Sequence, residues 1–174
     1  MHPLDKFKYC PCCGSRLFAE SSGKSKKCGN CGFEQFLNPS AAYVALIRNA
    51  EGKILVVRRK EEPAKGTLDL PGGFSDIGET AEQGVAREVM EETNMAVTSC
   101  RFLFSLPNMY CYSGFNIPTL DMFFQCEVAD TSVLRAMDDA AECLWLSPDE
   151  INPADFGLAS IRKGVEKIKI KGLG

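Results

Sequence analysis

Glu88, Glu91 and Glu92 carry the clearest chemistry in the chain, set in the stretch Arg87-Glu88-Val89-Met90-Glu91-Glu92. On a helix, residues three and four apart are neighbours with Cβ atoms about 5–6 Å apart, so the three carboxylates project from one side. Like charges this close destabilise a bare helix, and a divalent cation that neutralises them gives the cluster a purpose. Hard oxygen ligands in this number suit Mg²⁺ or Mn²⁺. Ahead of them, Gly72-Gly73 can bring backbone close to a phosphate or a metal, because glycine has no side chain in the way. A solvated acidic face is the alternative reading of an isolated Glu-x-x-Glu-Glu. Here that reading leaves the glycine pair, Glu79 and Arg87 at their offsets unexplained.

A second group of residues can hold a different metal. Cys10-Pro11-Cys12-Cys13-Gly14 and Cys28-Gly29-Asn30-Cys31-Gly32 are two C-x-x-C-G turns with fourteen residues between Cys13 and Cys28. Each turn points two thiolates at one centre, and four thiolates in tetrahedral geometry suit structural zinc. Cys12 is the spare. Five of the nine cysteines lie in the first 31 residues; Cys100, Cys111, Cys126 and Cys143 stand singly among strand-like residues. Such isolated thiols behave as small buried hydrophobes. An odd total argues against a disulfide framework.

Absences narrow the chemistry further. The one histidine is His2, so a Ser-His or Cys-His hydrolytic site is hard to build, as is a His-ligated zinc enzyme. Hydrolysis must then rest on carboxylates and an oxygen-preferring metal. No run of about 18 apolar residues is present to span a membrane. The first residues, Met1 to Lys6, lack the apolar stretch of a secretory signal, and a cytoplasmic location is expected.

These groups need a scaffold, and the apolar pattern suggests one. Residues 1–37 read as a cysteine module and residues 38–174 as the main domain, with a turn at Asn38-Pro39-Ser40. Charge divides in the same place: residues 1–38 carry six Lys or Arg against three acids, a net of +3, and the remainder fourteen against twenty, a net of −6. The larger part is therefore too acidic to suggest a nucleic-acid binder, and Arg162, Lys163, Lys167, Lys169 and Lys171 read as a solvated helix face. Residues 41–48 and 53–59 are apolar runs separated by Asn49-Ala50-Glu51-Gly52, which predicts a hairpin. A Gly- and Pro-rich loop follows over 63–78. Ala81, Val85 and Val89 recur at helical spacing and predict a helix over 80–93 with Thr80 as its cap. Strands are expected near 99–106, 109–113, 119–129 and 142–146, a helix start at Ser147-Pro148, and a final amphipathic helix over 158–170. Strands interleaved with a few helices suggest an α/β sandwich.

The stretch from Gly73 to Met95 resembles the Nudix box, G-x5-E-x7-R-E-U-x-E-E-x-G-U with U aliphatic. Gly73, Glu79, Arg87, Glu88, Val89, Glu91, Glu92 and Met95 match. Asn94 stands where the box has Gly; that position ends the helix, and Asn is the next-best left-handed residue. Gly66-Thr67-Leu68-Asp69-Leu70-Pro71 also fits the run into the box, and the resemblance extends loosely over residues 41–170. It implies a Nudix-type α/β/α sandwich, here behind a small N-terminal zinc ribbon of four cysteines. It further implies that Glu88, Glu91 and Glu92, with the Gly73 carbonyl, hold Mg²⁺ or Mn²⁺, while Glu79 and Arg87 orient the cluster. In the family the general base is a box glutamate or an acid on a later loop. Asp138-Asp139-Ala140-Ala141-Glu142 supplies candidates, of which Asp139 is favoured.

A ribbon ahead of such a domain resembles the NADH pyrophosphatase branch. Its S-Q-P-W-P-F-P-x-S motif aligns with Ser105-Leu106-Pro107-Asn108-Met109-Tyr110-Cys111-Tyr112-Ser113, which keeps both serines and the first proline without the Trp-Pro-Phe-Pro core. The C-P-x-C-G turn also resembles rubredoxin, so iron stands as an alternative to zinc. The expected activity is hydrolysis of a nucleoside diphosphate linked to another group, such as NAD(H), ADP-ribose or a nucleotide sugar. The alternatives are a nucleoside triphosphate pyrophosphatase and a non-catalytic nucleotide sensor whose ribbon binds DNA or protein. Gly72, Gly73, Tyr110 and Tyr112 are candidate substrate contacts, although the tyrosines could equally pack against the sheet. A small nucleotide is the expected partner, with no membrane, and a nucleic-acid partner is not the favoured reading; a homodimer is left open.

Overall fold

A computed structural model describes residues 2–112 and 114–171, so Ser113, aligned above with the second serine of the branch motif, lies outside the described residues. The chain divides into two compact units, Met1–Pro39 and Ser40–Gly174. In the first, strands β1 (Phe18–Ser22), β2 (Ser25–Cys28) and β3 (Glu34–Phe36) form an antiparallel sheet in that order. Its interior is small: Cys10, Phe18 and Cys28 pack together.

The second unit is built on two three-stranded sheets. Strands β4 (Ser40–Ile47), β8 (Phe115–Val128) and β7 (Val97–Tyr112) lie in the order β4-β8-β7, with β4 parallel to β8 and β7 antiparallel to it. Strands β5 (Ile54–Arg59), β6 (Leu68–Asp69) and β9 (Ala140–Leu146) form the order β6-β5-β9, antiparallel throughout. Helix α1 (Ala81–Thr93) and helix α2 (Ala159–Lys171) complete the unit.

Side-chain alternation distributes the core to two faces. Tyr43, Ala45 and Ile47 of β4 join Leu55, Phe124 and Cys126 beneath Val85 and Val89 of α1. Val44 and Leu46 point the other way and join Val56, Phe123 and Phe156 against Ile161, Val165 and Ile168 of α2. Strands buried on both faces read as continuous apolar runs, and that is why β4 and β5 show no alternation in the sequence. The result is the α/β/α sandwich expected from the sequence. Among the described residues no helix is long and apolar enough to cross a membrane.

Several local expectations change. The runs at 41–48 and 53–59 do not pair as a hairpin; beyond one bridge, Arg48 to Ile54, β4 turns to β8 and β5 to β6 and β9. The turn itself forms, with Gly52 at φ 76°, but two strands buried on both faces each find a longer partner elsewhere. Residues 99–106 and 109–113 fall on a single strand, β7, which runs through Pro107. β7 lies at the edge of its sheet, where proline is tolerated. Ser147-Pro148 opens only a turn, and the short helical element is a 3-10 turn at Pro153–Asp155. Here Glu150 bonds back to the Ser147 N–H and hydroxyl.

Candidate active site

Helix α1 begins where the sequence places it. The Thr80 hydroxyl accepts from the Gln83 N–H while the Gln83 side chain accepts from the Thr80 N–H, closing a capping box. At the other end Asn94 sits at φ 61° and donates its backbone N–H to the Met90 carbonyl, the left-handed role proposed for it. With both ends fixed, the register of Arg87, Glu88, Glu91 and Glu92 is fixed as well.

The glycine pair runs beneath this helix. At Gly72 (φ 155°) an added Cβ would lie 2.0 Å from the Tyr43 carbonyl oxygen, and at Gly73 it would lie 2.5 Å from the Glu88 carboxylate. At Gly72 backbone closes the space to a side chain, whereas at Gly73 a side chain would have to displace the Glu88 carboxylate. The Gly72 N–H donates to Glu92 Oε2 at 3.0 Å, and the Gly73 carbonyl accepts from the Tyr43 N–H at 2.8 Å, leaving one lone pair.

Arg87 organises the outer carboxylates. It reaches Glu79 Oε1 at 2.9 Å and Oε2 at 3.0 Å, Glu88 Oε1 at 2.9 Å, Glu91 Oε2 at 2.9 Å and the Phe74 carbonyl at 3.1 Å. Glu79 accepts the Asp76 N–H as well, and the Arg87 guanidinium holds its carboxyl below the usual range. Among the described residues no such cation pairs with Glu92. Burial pushes its carboxyl up to about 8, with the Gly72 N–H offsetting only part of the penalty. Burial also raises Glu88, against the pull of Arg87. A buried carboxylate lacking a counter-charge beside a half-buried one is a donor set suited to a hard divalent cation.

Gly72, Gly73, Arg87, Glu88, Glu91 and Glu92 line one cavity of about 360 Å³, together with Arg59, Lys60, Asp69, Phe74, Asn108, Tyr110, Thr119, Asp121, Asp138 and Asp139. Phe74 and Tyr110 meet edge to face, ring centroids 5.3 Å apart. Arg59 pairs with the buried Asp69 at 2.7 Å and reaches the Tyr110 hydroxyl at 3.3 Å. Burial lifts the Asp69 carboxyl above its usual range, and Arg59 pulls it only partly back. Lys60 fastens the loop carrying Asp138 and Asp139: its N–H donates to the Asp139 carbonyl at 3.0 Å and its Nζ to the Asp138 carbonyl at 3.1 Å.

The cavity therefore gathers Gly72, Gly73, Arg87, Glu88, Glu91, Glu92, Tyr110 and Asp139 from the sequence-based set. Glu79 stands behind them on Arg87. Tyr112, further along β7, is 60% exposed and lies outside the lining, and Glu142 is paired with Arg58 instead. Sequence reasoning missed Arg59, Asp69, Phe74, Asn108 and Asp121. A usable signal existed for two of them: Asp69 and Asp121 are single acids within the apolar runs Leu68-Asp69-Leu70 and Leu120-Asp121-Met122-Phe123.

In the first unit the sulfurs of Cys10, Cys13, Cys28 and Cys31 lie within 4.8 Å of one another, as the two turns require. Gly14 and Gly32 take φ of 71° and 76° and donate their N–H groups to the Cys10 and Cys28 carbonyls. The Asn30 and Cys31 N–H groups point at the Cys28 sulfur at 3.4 and 3.5 Å. Backbone donation at Ser15, with the Asn30 amide, draws the Cys13 thiol down to about 6. Four gathered thiols with N–H donors around them fit a structural zinc ion. Cys12 is exposed and outside the group. His2, Asp5 and Glu20 also lie close together, but both His2 ring nitrogens are engaged, with the Ser22 carbonyl and the Leu4 N–H.

Comparison with known proteins agrees with this geometry. A family model described as the NUDIX domain matches residues 37–166. An ADP-ribose pyrophosphatase of Methanocaldococcus jannaschii is 38% identical over 95 residues, covering 51% of this chain and 56% of that protein. An NAD-capped RNA hydrolase, NudC, of Vibrio vulnificus is 26% identical over 152 residues, covering 87% of this chain and 55% of that protein. The chain thus spans about half the length of these two relatives. The crystal structure of a NUDIX hydrolase from Nitrosomonas europaea has the same fold, with a TM-score of 0.71 at 23% identity, over 94% of this chain and 91% of that one.

Proposed function

The chain belongs to the NUDIX domain family, and from that premise we propose that it hydrolyses a nucleoside diphosphate linked to another group, with ADP-ribose, NAD(H) or a similar compound as substrate. The observation that carries this reading is the buried Glu92 beside Glu88 and the Gly72-Gly73 backbone, in a cavity large enough for a nucleotide. Glu88, Glu91 and Glu92, with the free lone pair of the Gly73 carbonyl, would hold Mg²⁺ or Mn²⁺. The bound cation supplies charge neutralisation of the diphosphate and a lowered pKa for an attacking water. Arg87 keeps Glu88 and Glu91 oriented and is itself oriented by Glu79. Asp139, exposed on the loop that Lys60 fastens, takes the proton of the attacking water as general base. The Phe74 and Tyr110 rings flank the substrate and keep bulk water from one side of it.

Residues 1–37 act in this reading as a zinc ribbon and 38–174 as the hydrolase domain. The M. jannaschii and V. vulnificus relatives bear the names of an ADP-ribose pyrophosphatase and a capped-RNA hydrolase, and both substrates belong in the test. The full chain is incubated with ADP-ribose, NAD, NADH, NAD-capped RNA, nucleotide sugars and nucleoside triphosphates, with Mg²⁺ or Mn²⁺. Release of a nucleoside monophosphate from the diphosphate-linked group is expected; turnover confined to triphosphates contradicts the proposal.

A further inference from the structure

Part of the cavity lining holds chemistry that the proposed reaction at the box does not use. Its walls include the apolar side chains of Val44, Leu70, Leu158 and Ile161. Onto these walls open two buried acids, Asp69 and Asp121. Asp121 is anchored from both sides: the Thr119 hydroxyl donates to its Oδ1 and the Ser160 hydroxyl, from the first turn of α2, to its Oδ2. Asp69 accepts the Leu70 N–H on Oδ1 and Arg59 on Oδ2. A carboxylate oxygen has two lone pairs, so each of these oxygens keeps one for a further donor. Holding two such acids in an apolar pocket is costly unless an occupant supplies the remaining hydrogen bonds.

We propose that the part of the lining around Asp121 is the base subsite, and that it selects a nucleobase carrying an exocyclic amino group, whose N–H donates to the Asp121 carboxylate. The inference rests on the proposed hydrolase reading, which places the phosphates at the box glutamates and so the base away from them. Apolar walls fit a flat ring and disfavour the hydroxyl-rich ribose. Asp121, which already accepts from two hydroxyls, fits an amino edge and repels a carbonyl edge of the base. Anchoring by Thr119 and Ser160 holds the acceptor still, so little ordering is required on binding.

The test is calorimetric titration of the full chain, in Mg²⁺, with AMP and with purine riboside 5′-monophosphate, which differs only in lacking the amino group. GMP and CMP form further arms that identify which amino-bearing base is preferred. AMP, GMP or CMP is expected to bind about ten-fold or more tightly than purine riboside 5′-monophosphate, since a site built to hydrogen-bond a group rejects the analogue without it. In Asp121→Asn, which halves the acceptors, the preference is expected to shrink to roughly two- or three-fold, with thermal melting confirming a folded protein. Should that variant fail to fold, the wild-type comparison decides alone. Equal binding of all four ligands overturns the inference, as does an undiminished preference in folded Asp121→Asn. Hydrolysis of ADP-ribose is followed on the same sample. Turnover without an amino preference removes the base subsite and leaves the proposed function standing; an amino preference without turnover of any diphosphate does the reverse.

Discussion

The first unit encloses a single cluster of Cys10, Phe18 and Cys28, while the second encloses two, centred on Phe123 and Phe156 and on Val85 and Val89. Two of the three residues in the ribbon's cluster are thus cysteines that face a would-be metal. An interior that small cannot by itself offset the conformational entropy of ordering the chain, so a zinc ion at the four thiols is expected to couple metal binding to folding of this unit. The second unit is the opposite case. Its core closes through strands buried on both faces, and its acidic site is a local cost that the core carries. The first unit is expected to need a metal in order to fold, and the second to fold and leave a place for one.

The largest effect should come from removing the ribbon's metal. Chelation with a zinc-selective ligand, or Cys28→Ser, is expected to abolish ordered NMR signals from residues 2–39 while those of 40–171 persist. Persistence of the ribbon signals would erase the contrast between the units. Next in size is Glu92→Gln, expected to lower Mg²⁺-dependent turnover on the order of a hundred- to a thousand-fold, while raising the melting temperature of the metal-free protein, because a buried charge is removed.

How much of this was visible in the sequence differs between the units in a parallel way. Metal-directed features were legible because their spacing is local: two C-x-x-C-G turns, the run from Gly73 to Met95, the Thr80 cap and the Asn94 stop all lie within a few turns of chain. Features set by distant pairing were not. β4 and β5 are adjacent and apolar, and nothing in either reveals that they go to different sheets. The lining residues outside the box come largely from β5, β6, β7, β8 and α2, so Arg59, Asp69, Asn108 and Asp121 meet only after the strands have paired. Tyr110 and Tyr112 are indistinguishable in sequence, and only their distance along β7 puts one at the cavity and the other in solvent.

A third prediction uses pH. The Glu92 carboxyl, pushed up to about 8 by burial, titrates near 4.3 in the unfolded chain. Its folded value is raised, so the folded state binds the proton more tightly. Metal-free stability from this group is complete below about pH 4.3, falls as pH rises towards 8, and is level above it. The melting temperature of the metal-free protein should therefore drop by roughly 5–10 °C across that window, and Glu92→Gln should flatten the curve. The stabilisation given by added Mg²⁺ should grow over the same interval. A profile unaffected by Glu92→Gln would mean that this carboxylate is not the uncompensated charge of the site.

The smallest effect expected is that of Arg87→Ala. Removing the guanidinium leaves Glu79, Glu88 and Glu91 without their shared donor, at a cost of about 1–3 kcal/mol, read from denaturant unfolding. Partial exposure of the group keeps the figure low. Because Arg87 acts here by orienting Glu88 and Glu91, saturating Mg²⁺ should recover part of the lost turnover, whereas it should recover none in Glu92→Gln.

The most direct test of the whole account is ADP-ribose hydrolysis by the full chain as Mg²⁺ is titrated, with zinc content held constant and measured in parallel. The expected result is no turnover without Mg²⁺ or Mn²⁺, a saturable rise to AMP and ribose 5-phosphate with Mg²⁺, and no response in Glu92→Gln. Turnover that persists with zinc alone, or that survives in Glu92→Gln, would contradict the assignment of the box glutamates as the site of the reaction.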